Sequence, residues 1–186
     1  MELLGDLFIW MPSALHISRE VGAERLVIIC NAGFEDVAKH FLPGTSIFPI
    51  APRRFMRDLR YRWETLRKLR QLGCERAAAF SIPRDGTVAD ATMRALGAGS
   101  TFGHADTYAD RAGVDRWLTA GIFDELLPSL GGIHRSQQHA RLIRAMGIDG
   151  STILPNVPPV PSPEFLPSSP FSSCHPVRAA LKRHGP

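Results

Sequence analysis

Cysteine is scarce in this chain: three residues among 186, Cys30, Cys74 and Cys174, widely spaced and without a CxxC pair. An odd number at such spacing suggests neither a disulfide framework nor a structural zinc site. Cys174-His175 is an isolated pair in a proline-rich tail, so no metal site is expected. Long apolar runs are also lacking. The longest stretch near the N-terminus, Leu7 to Pro12, is far too short to span a bilayer. It follows an acidic residue rather than a basic region, which is not the pattern of a signal peptide, and a cytoplasmic location is the expectation. The chain has no GxGxxG after a strand, no GxxxxGK[ST], no GxSxG and no HExxH. The common nucleotide-binding and hydrolase readings thereby lose most of their support. The glycine clusters Gly97-Ala98-Gly99 and Phe102-Gly103 are of low specificity.

The bulk composition is that of a globular protein, 44% hydrophobic and 22% charged. A chain of 186 residues can bury a real core, and one domain of about 150 residues is the ordinary expectation. The net charge of +4 and pI near 9.3 suit an anionic partner without choosing among phosphate, nucleic acid and a membrane surface.

Hydrophobic spacing predicts alternating helices and strands. Leu7 to Val21 reads as a helix with Asp6 as its cap and Pro12 in its first turns. Arg25 to Cys30 is a continuous apolar run rich in β-branched residues, the pattern of a strand covered on both faces. A short helix over 35–41 and a strand over 46–50 follow. Phe55 to Leu72 is the clearest helix, with Phe55, Leu59, Trp63, Leu66 and Leu69 on one side and Gly73 as its stop. Arg76 to Ile82 reads as a strand, Asp85 to Leu96 as a helix ended by Gly97, and Ser100 to Gly103 as a brief strand. His134 to Met146 reads as a helix stopped at Gly147. This alternation indicates an α/β fold, a Rossmann-like parallel sheet with flanking helices. Three or four strands are few for a doubly wound sheet, and a strand ahead of Gly5 would repair the count. Residues 1–150 form this domain. Seven prolines between Pro155 and Pro170 mark 151–175 as an extended linker, and 176–186 as a short basic C-terminal segment.

Several residues stand out chemically. Asp6 follows Gly5, a residue suited to a tight turn into a helix. It reads either as an N-cap or as a general base in the crevice at the carboxyl ends of the strands. On the predicted helix over 53–70, Arg53, Arg57, Arg60, Arg67 and Lys68 lie on one side, opposite the apolar residues. That face is either a solvated surface or a docking face for phosphates or sugar acids. Arg53 and Arg54 stand where the chain enters the helix, and a planar guanidinium grips oxyanions bidentately. His134 and His139 are five apart, so they do not share a helical face and do not make a two-histidine metal site. His134 alone is either a helix-end residue or an acceptor contact.

Taken together, Gly5-Asp6 with Leu7-Phe8-Ile9 and Pro12-Ser13-Ala14-Leu15, Ala51-Pro-Arg-Arg-Phe55, Leu72-Gly73-Cys74-Glu75-Arg76 with Ala77 to Ile82, Ala95-Leu-Gly-Ala98 with Phe102-Gly103, and His134 to Gly147 resemble, in order and spacing, glycosyltransferase family 9, the lipopolysaccharide heptosyltransferases. The resemblance covers roughly residues 3 to 150. It implies the N-terminal, acceptor-side half of a GT-B fold and inverting, metal-independent transfer from an ADP-heptose-like donor, with no cofactor. Asp6 matches the family's catalytic base and Gly5 its active-site turn. Arg53, Arg54, Arg57 and His134 would bind an anionic glycolipid acceptor such as lipid A-Kdo. The resemblance also implies peripheral contact with the cytoplasmic face of the inner membrane. The family's opening strand and its donor-binding domain have no counterpart in the sequence, and Gln137 stands where the family often places a glutamate.

Two other readings compete. In one, the arginine-rich helix over 53–70 is a non-catalytic polyanion-binding module. The lack of aromatic interleaving on its basic face counts against single-stranded nucleic acid, and nucleic acid is not the expected partner. In the other, the chain is a truncated product, inactive alone, whose donor half is supplied by another chain if at all.

Overall fold

The computed structural model describes residues 4–82, 87–105, 121–128, 130 and 133–150. The expected linker and C-terminal segment beyond Gly150 lie outside these residues.

The chain begins with α1 (Leu4–Val21), whose Pro12 stands in mid-helix. It continues through a short turn into β1 (Val27–Asn31), α2 (Glu35–Phe41) and β2 (Ser46–Ile50). Then come α3 (Pro52–Arg57), α4 (Leu59–Arg70), β3 (Arg76–Ala79), α5 (Val88–Leu96), β4 (Ser100–His104), β5 (Glu125–Leu127) and α6 (Arg135–Ala145). All strand pairs are parallel: β1 with β2, β3 with β4, and β4 with β5. They form two sheets, β2-β1 and β3-β4-β5. The fold is α/β, with short parallel sheets between helical layers.

The apolar residues divide by face as buried parallel strands require. On one side, Leu7, Met11 and Ala14 of α1 pack with Ile28 and Cys30 of β1 and with Ala38 and Leu42. Ile17 joins Ala140 and Ile143 of α6 on the same side. On the other, Ile50, Phe55, Leu69, Ala77, Ala79, Met93 and Leu96 form the larger core, with Ile29 against it. Successive residues of β1 therefore feed opposite cores, which is why Arg25 to Cys30 reads as an unbroken apolar run.

Both sheets run in the same direction. Arg135 at the start of α6 is ion-paired with Asp6 at the start of α1, and His16 Nε2 donates to the Asp149 carbonyl near their far ends. The two helices thus lie side by side and parallel. The end of α1 leads directly into β1, and Arg76 at the start of β3 donates to the Met146 carbonyl, 2.7 Å away, just past α6. So β1 and β3 start at one end of the molecule, and their carboxyl ends lie where α1 and α6 begin.

Several expectations need correction. Asp6 is not an N-cap: α1 begins at Leu4, so Gly5 and Asp6 belong to its first turn rather than to a strand-to-helix turn. The single helix expected over 55–72 is two helices. Asp58 has extended backbone (φ −107°, ψ 101°) and its carboxylate accepts from the Tyr61 amide, capping α4. The face computed for one continuous helix therefore does not carry from Arg53 and Arg57 on α3 to Arg60, Arg67 and Lys68 on α4. Its apolar side also divides, because Phe55 and Leu69 are fully buried while Leu59 and Trp63 are 78% and 60% exposed. His134 caps α6 from outside, its ring accepting from the Ser136 amide at 3.3 Å. β5 is an addition. Gly97 and Gly147 stop α5 and α6 as expected, with φ of 56° and 78° that other residues adopt only at a cost.

Candidate active site

Ligands of open parallel sheets bind beyond the carboxyl ends of the strands, where helix N-termini converge. At that end the structure gathers Asp6, His134 and Arg135, together with Phe80 after β3, His104 at the end of β4, and His139 one turn into α6. Pro52 begins α3 directly after β2, so Arg53 and Arg54 leave the sheet at the same end. Arg57 closes α3 one turn later. Asp6, through Arg135, stands beside the start of α6 that His134 caps, whereas Arg53, Arg54 and Arg57 follow the carboxyl end of β2 on α3, where Arg54 contacts Asp58 and Tyr61.

The carboxylate of Asp6 accepts a hydrogen bond from Arg135 Nη1, with the two side chains 33% and 40% exposed. Beneath this pair the surroundings change sharply. His139 is buried, its ring edge-on to Phe80 with centroids 5.7 Å apart, and His104 is buried 6.5 Å from it. Burial pulls the His139 pKa down from 6.5 to about 4, helped by His104, against the opposing pull of a hydrogen bond with the Phe80 backbone. His139 is therefore neutral at pH 7. Trp10 packs on the other side of Phe80 at 5.7 Å. Trp10 Nε1, Ser13 Oγ, Gln138 Oε1 and His139 Nδ1 are buried without a hydrogen-bond partner among the described residues.

His134 Nδ1 lies 2.8 Å from the Ser136 hydroxyl and also meets that residue's amide, so the ring is fixed while exposed to solvent. The arginines differ among themselves. Arg54 bonds Asp58 at 3.1 Å and lies 4.6 Å from the Tyr61 ring centroid, whereas Arg53 and Arg57 are exposed. Together with the Tyr61 amide, Arg54 holds the Asp58 carboxyl below the ordinary carboxylate range. Arg54 is thus committed in part to the α3–α4 junction.

A second feature runs through the middle of the molecule. A largely apolar cavity of about 250 Å³ lies between the two sheets. Its walls include every residue of β1 from Val27 to Asn31 and every residue of β3 from Arg76 to Ala79. Side chains alternate between faces, so a wall made of consecutive residues is the edge of a strand rather than its face.

Sequence reasoning missed Arg135, His104 and the role of His139. Arg135 and Asp6 are 129 residues apart, which no local pattern spans. His104 could have been found by asking which residue ends a predicted strand. A scan against family models, a search of curated proteins and a search of solved structures each return no match for this chain. Among the described residues, no group of three or more His, Cys, Asp or Glu is placed to hold a metal ion, and no helix is long and apolar enough to cross a membrane.

Proposed function

We propose that this domain is the acceptor-side half of an inverting glycosyltransferase of the heptosyltransferase type, acting on an anionic glycolipid such as Kdo-bearing lipid A. The observation that carries the reading is the position of Asp6: a carboxylate at the carboxyl end of the sheets, oriented by Arg135, over a buried layer holding a neutral histidine. In the reaction the acceptor hydroxyl oxygen attacks the anomeric carbon of an ADP-heptose-like donor from the face opposite the nucleotide. The new C–O bond forms as the bond to the diphosphate breaks, ADP leaves with the electron pair, and the hydroxyl proton passes to Asp6. Arg53, Arg57 and the remaining capacity of Arg54 grip acceptor phosphates or carboxylates, and His134 contacts the acceptor from its fixed position. Exposed Leu59 and Trp63, one helical turn apart on α4, give an amphiphile's apolar part a place to rest, which also suits peripheral contact with the cytoplasmic face of a membrane. The donor is bound by a second domain, supplied by another chain.

The test is sugar transfer to such an acceptor by the chain supplied with a donor-binding half. Asp6→Asn should lower the rate about 10²–10⁴-fold with acceptor affinity kept. An Asp6→Asn protein as active as the parent would sink the proposal. Transfer by the purified chain with no partner would overturn its division into two halves. In the rival reading the arginines of 53–70 bind polyanions without chemistry. It is favoured by the exposure of Arg53 and Arg57, and predicts that Asp6→Ala changes nothing measurable.

A further inference from the structure

Asp6 and Arg135 meet at a fixed point, yet both side chains are partly exposed. An ion pair open to water holds its own geometry weakly, so the two helix starts must be set in place from below. One helical turn down, Trp10 follows Asp6 by four residues on α1, and His139 follows Arg135 by four on α6. Residues so spaced lie on one helical face, one above the other. Phe80, directly after β3, touches both. Its ring centroid is 5.7 Å from that of Trp10 and 5.7 Å from that of His139, the latter edge-on at 79°. Phe80 also packs against Ile17, Ala140 and Ile143, where the same two helices meet further down. The His139 ring is buried and hydrogen-bonded to the Phe80 backbone. Its Nδ1 has no partner among the described residues, which leaves that bond to Nε2. Arg135 and His134 both oppose protonation of this ring, so it stands within electrostatic reach of them.

We infer that Phe80 is a positioning residue: an aromatic wedge at the end of β3 that, clasped by Trp10 and His139, sets where Arg135 meets Asp6. This role rests on the reading of Asp6 as the base. Three rings in contact keep a spacing between the helices that flexible aliphatic side chains would not. The hydrogen bond of His139 ties α6 to the backbone at the end of β3. A buried bond of this kind is costly to leave unmade, so the first turn of α6 does not slide along the sheet. A shift of about 1 Å at that turn would be enough to spoil the placement of a catalytic group. Neither Phe80 nor His139 touches the reacting atoms. Both act through Arg135.

The experiment reads the Arg135 guanidinium by ¹⁵N NMR in the full chain, since pairing with a carboxylate slows rotation of that group. Asp6→Asn supplies the signature of a released Arg135. Phe80→Leu and His139→Leu should reproduce the release. His139→Gln, whose amide N–H can still reach the Phe80 backbone, should keep Arg135 paired. Leu142→Ala, at a fully buried position of α6, should lower stability at least as much and also leave Arg135 paired. With a donor-binding half and acceptor supplied, Phe80→Leu and His139→Leu should lower kcat about tenfold or more and leave KM within about twofold. Arg135 still paired in Phe80→Leu and His139→Leu, or released equally by Leu142→Ala, would overturn the inference whatever the rate does. Release of Arg135 with kcat unchanged would support the wedge and overturn instead the reading of Asp6 as the base.

Discussion

Arg135, the first residue of α6, holds the carboxylate of Asp6, in the first turn of α1, across 129 positions of sequence. The two residues do together what neither helix does alone: they set an acidic and a basic group at one fixed point beyond the strands. The pair is partly exposed, so its contribution to stability is small while its contribution to orientation is large. Arg135→Met should change the unfolding free energy by no more than about 1 kcal/mol. In the proposed reaction it should cost at least about tenfold in transfer, since a misplaced base loses much of its effect. Urea melts and rate measurements on the same preparation separate the two.

His139 supplies a pH prediction. Its folded pKa of about 4 lies below the ordinary 6.5, so between these values the unfolded chain binds a proton that the folded chain does not. Stability from this group is complete above pH 6.5 and is lost as pH falls toward 4. His104, Arg135 and His134 all act against its protonation and help to set that window. The full loss is about 3 kcal/mol. As pH falls from 6.5 to 4 the parent should lose this much more stability than His139→Phe, with no further divergence below pH 4, and a pH-independent difference between the two would contradict it.

The junction of α3 and α4 makes neighbouring apolar residues behave very differently. Phe55→Ala and Leu69→Ala, at fully buried positions, should each cost about 3–5 kcal/mol. Leu59→Ser and Trp63→Ser should alter stability by no more than about 0.5 kcal/mol, because both side chains are mostly in solvent. If the exposed pair meets an amphiphile, the same two substitutions weaken binding to anionic glycolipid micelles. Chemical denaturation and a binding titration check the two halves of this prediction.

Gly103 sits within β4 against the ring of Phe123. A Cβ there would lie 2.8 Å from one ring carbon and 3.0 Å from the next. Gly103→Ala should therefore cost about 1–3 kcal/mol by pushing the ring aside. Loosening the ring with Phe123→Leu should recover part of that loss, which a double-mutant cycle would read directly.

The buried strand β1 was legible because its signal is local: Arg25 to Cys30 is a continuous apolar run rich in β-branched residues, and Gly97 and Gly147 stand directly after helical spacing. The break at Asp58 was not legible from hydrophobic spacing, since Phe55 and Leu59 keep the period across it. A hydrogen bond from the Tyr61 amide decides the matter instead. β5 escaped notice because Glu125–Leu127 is three residues long, and its edge is secured by Asp124 clasping Thr101, with Oδ2 2.8 Å from the Thr101 amide. At the candidate site, Asp6 was visible as a carboxylate near a helix start, whereas Arg135 and the buried histidines depend on contacts between elements far apart in sequence.

The most direct test of the central claim is ¹⁵N chemical-shift mapping of the chain with a water-soluble, phosphorylated, Kdo-bearing acceptor headgroup. The account predicts that the largest shifts fall at residues 5–7, 53–57 and 134–136, and that Asp6→Asn leaves them in place. Shifts confined to α4, or equal shifts with a short DNA duplex of the same charge, would contradict it.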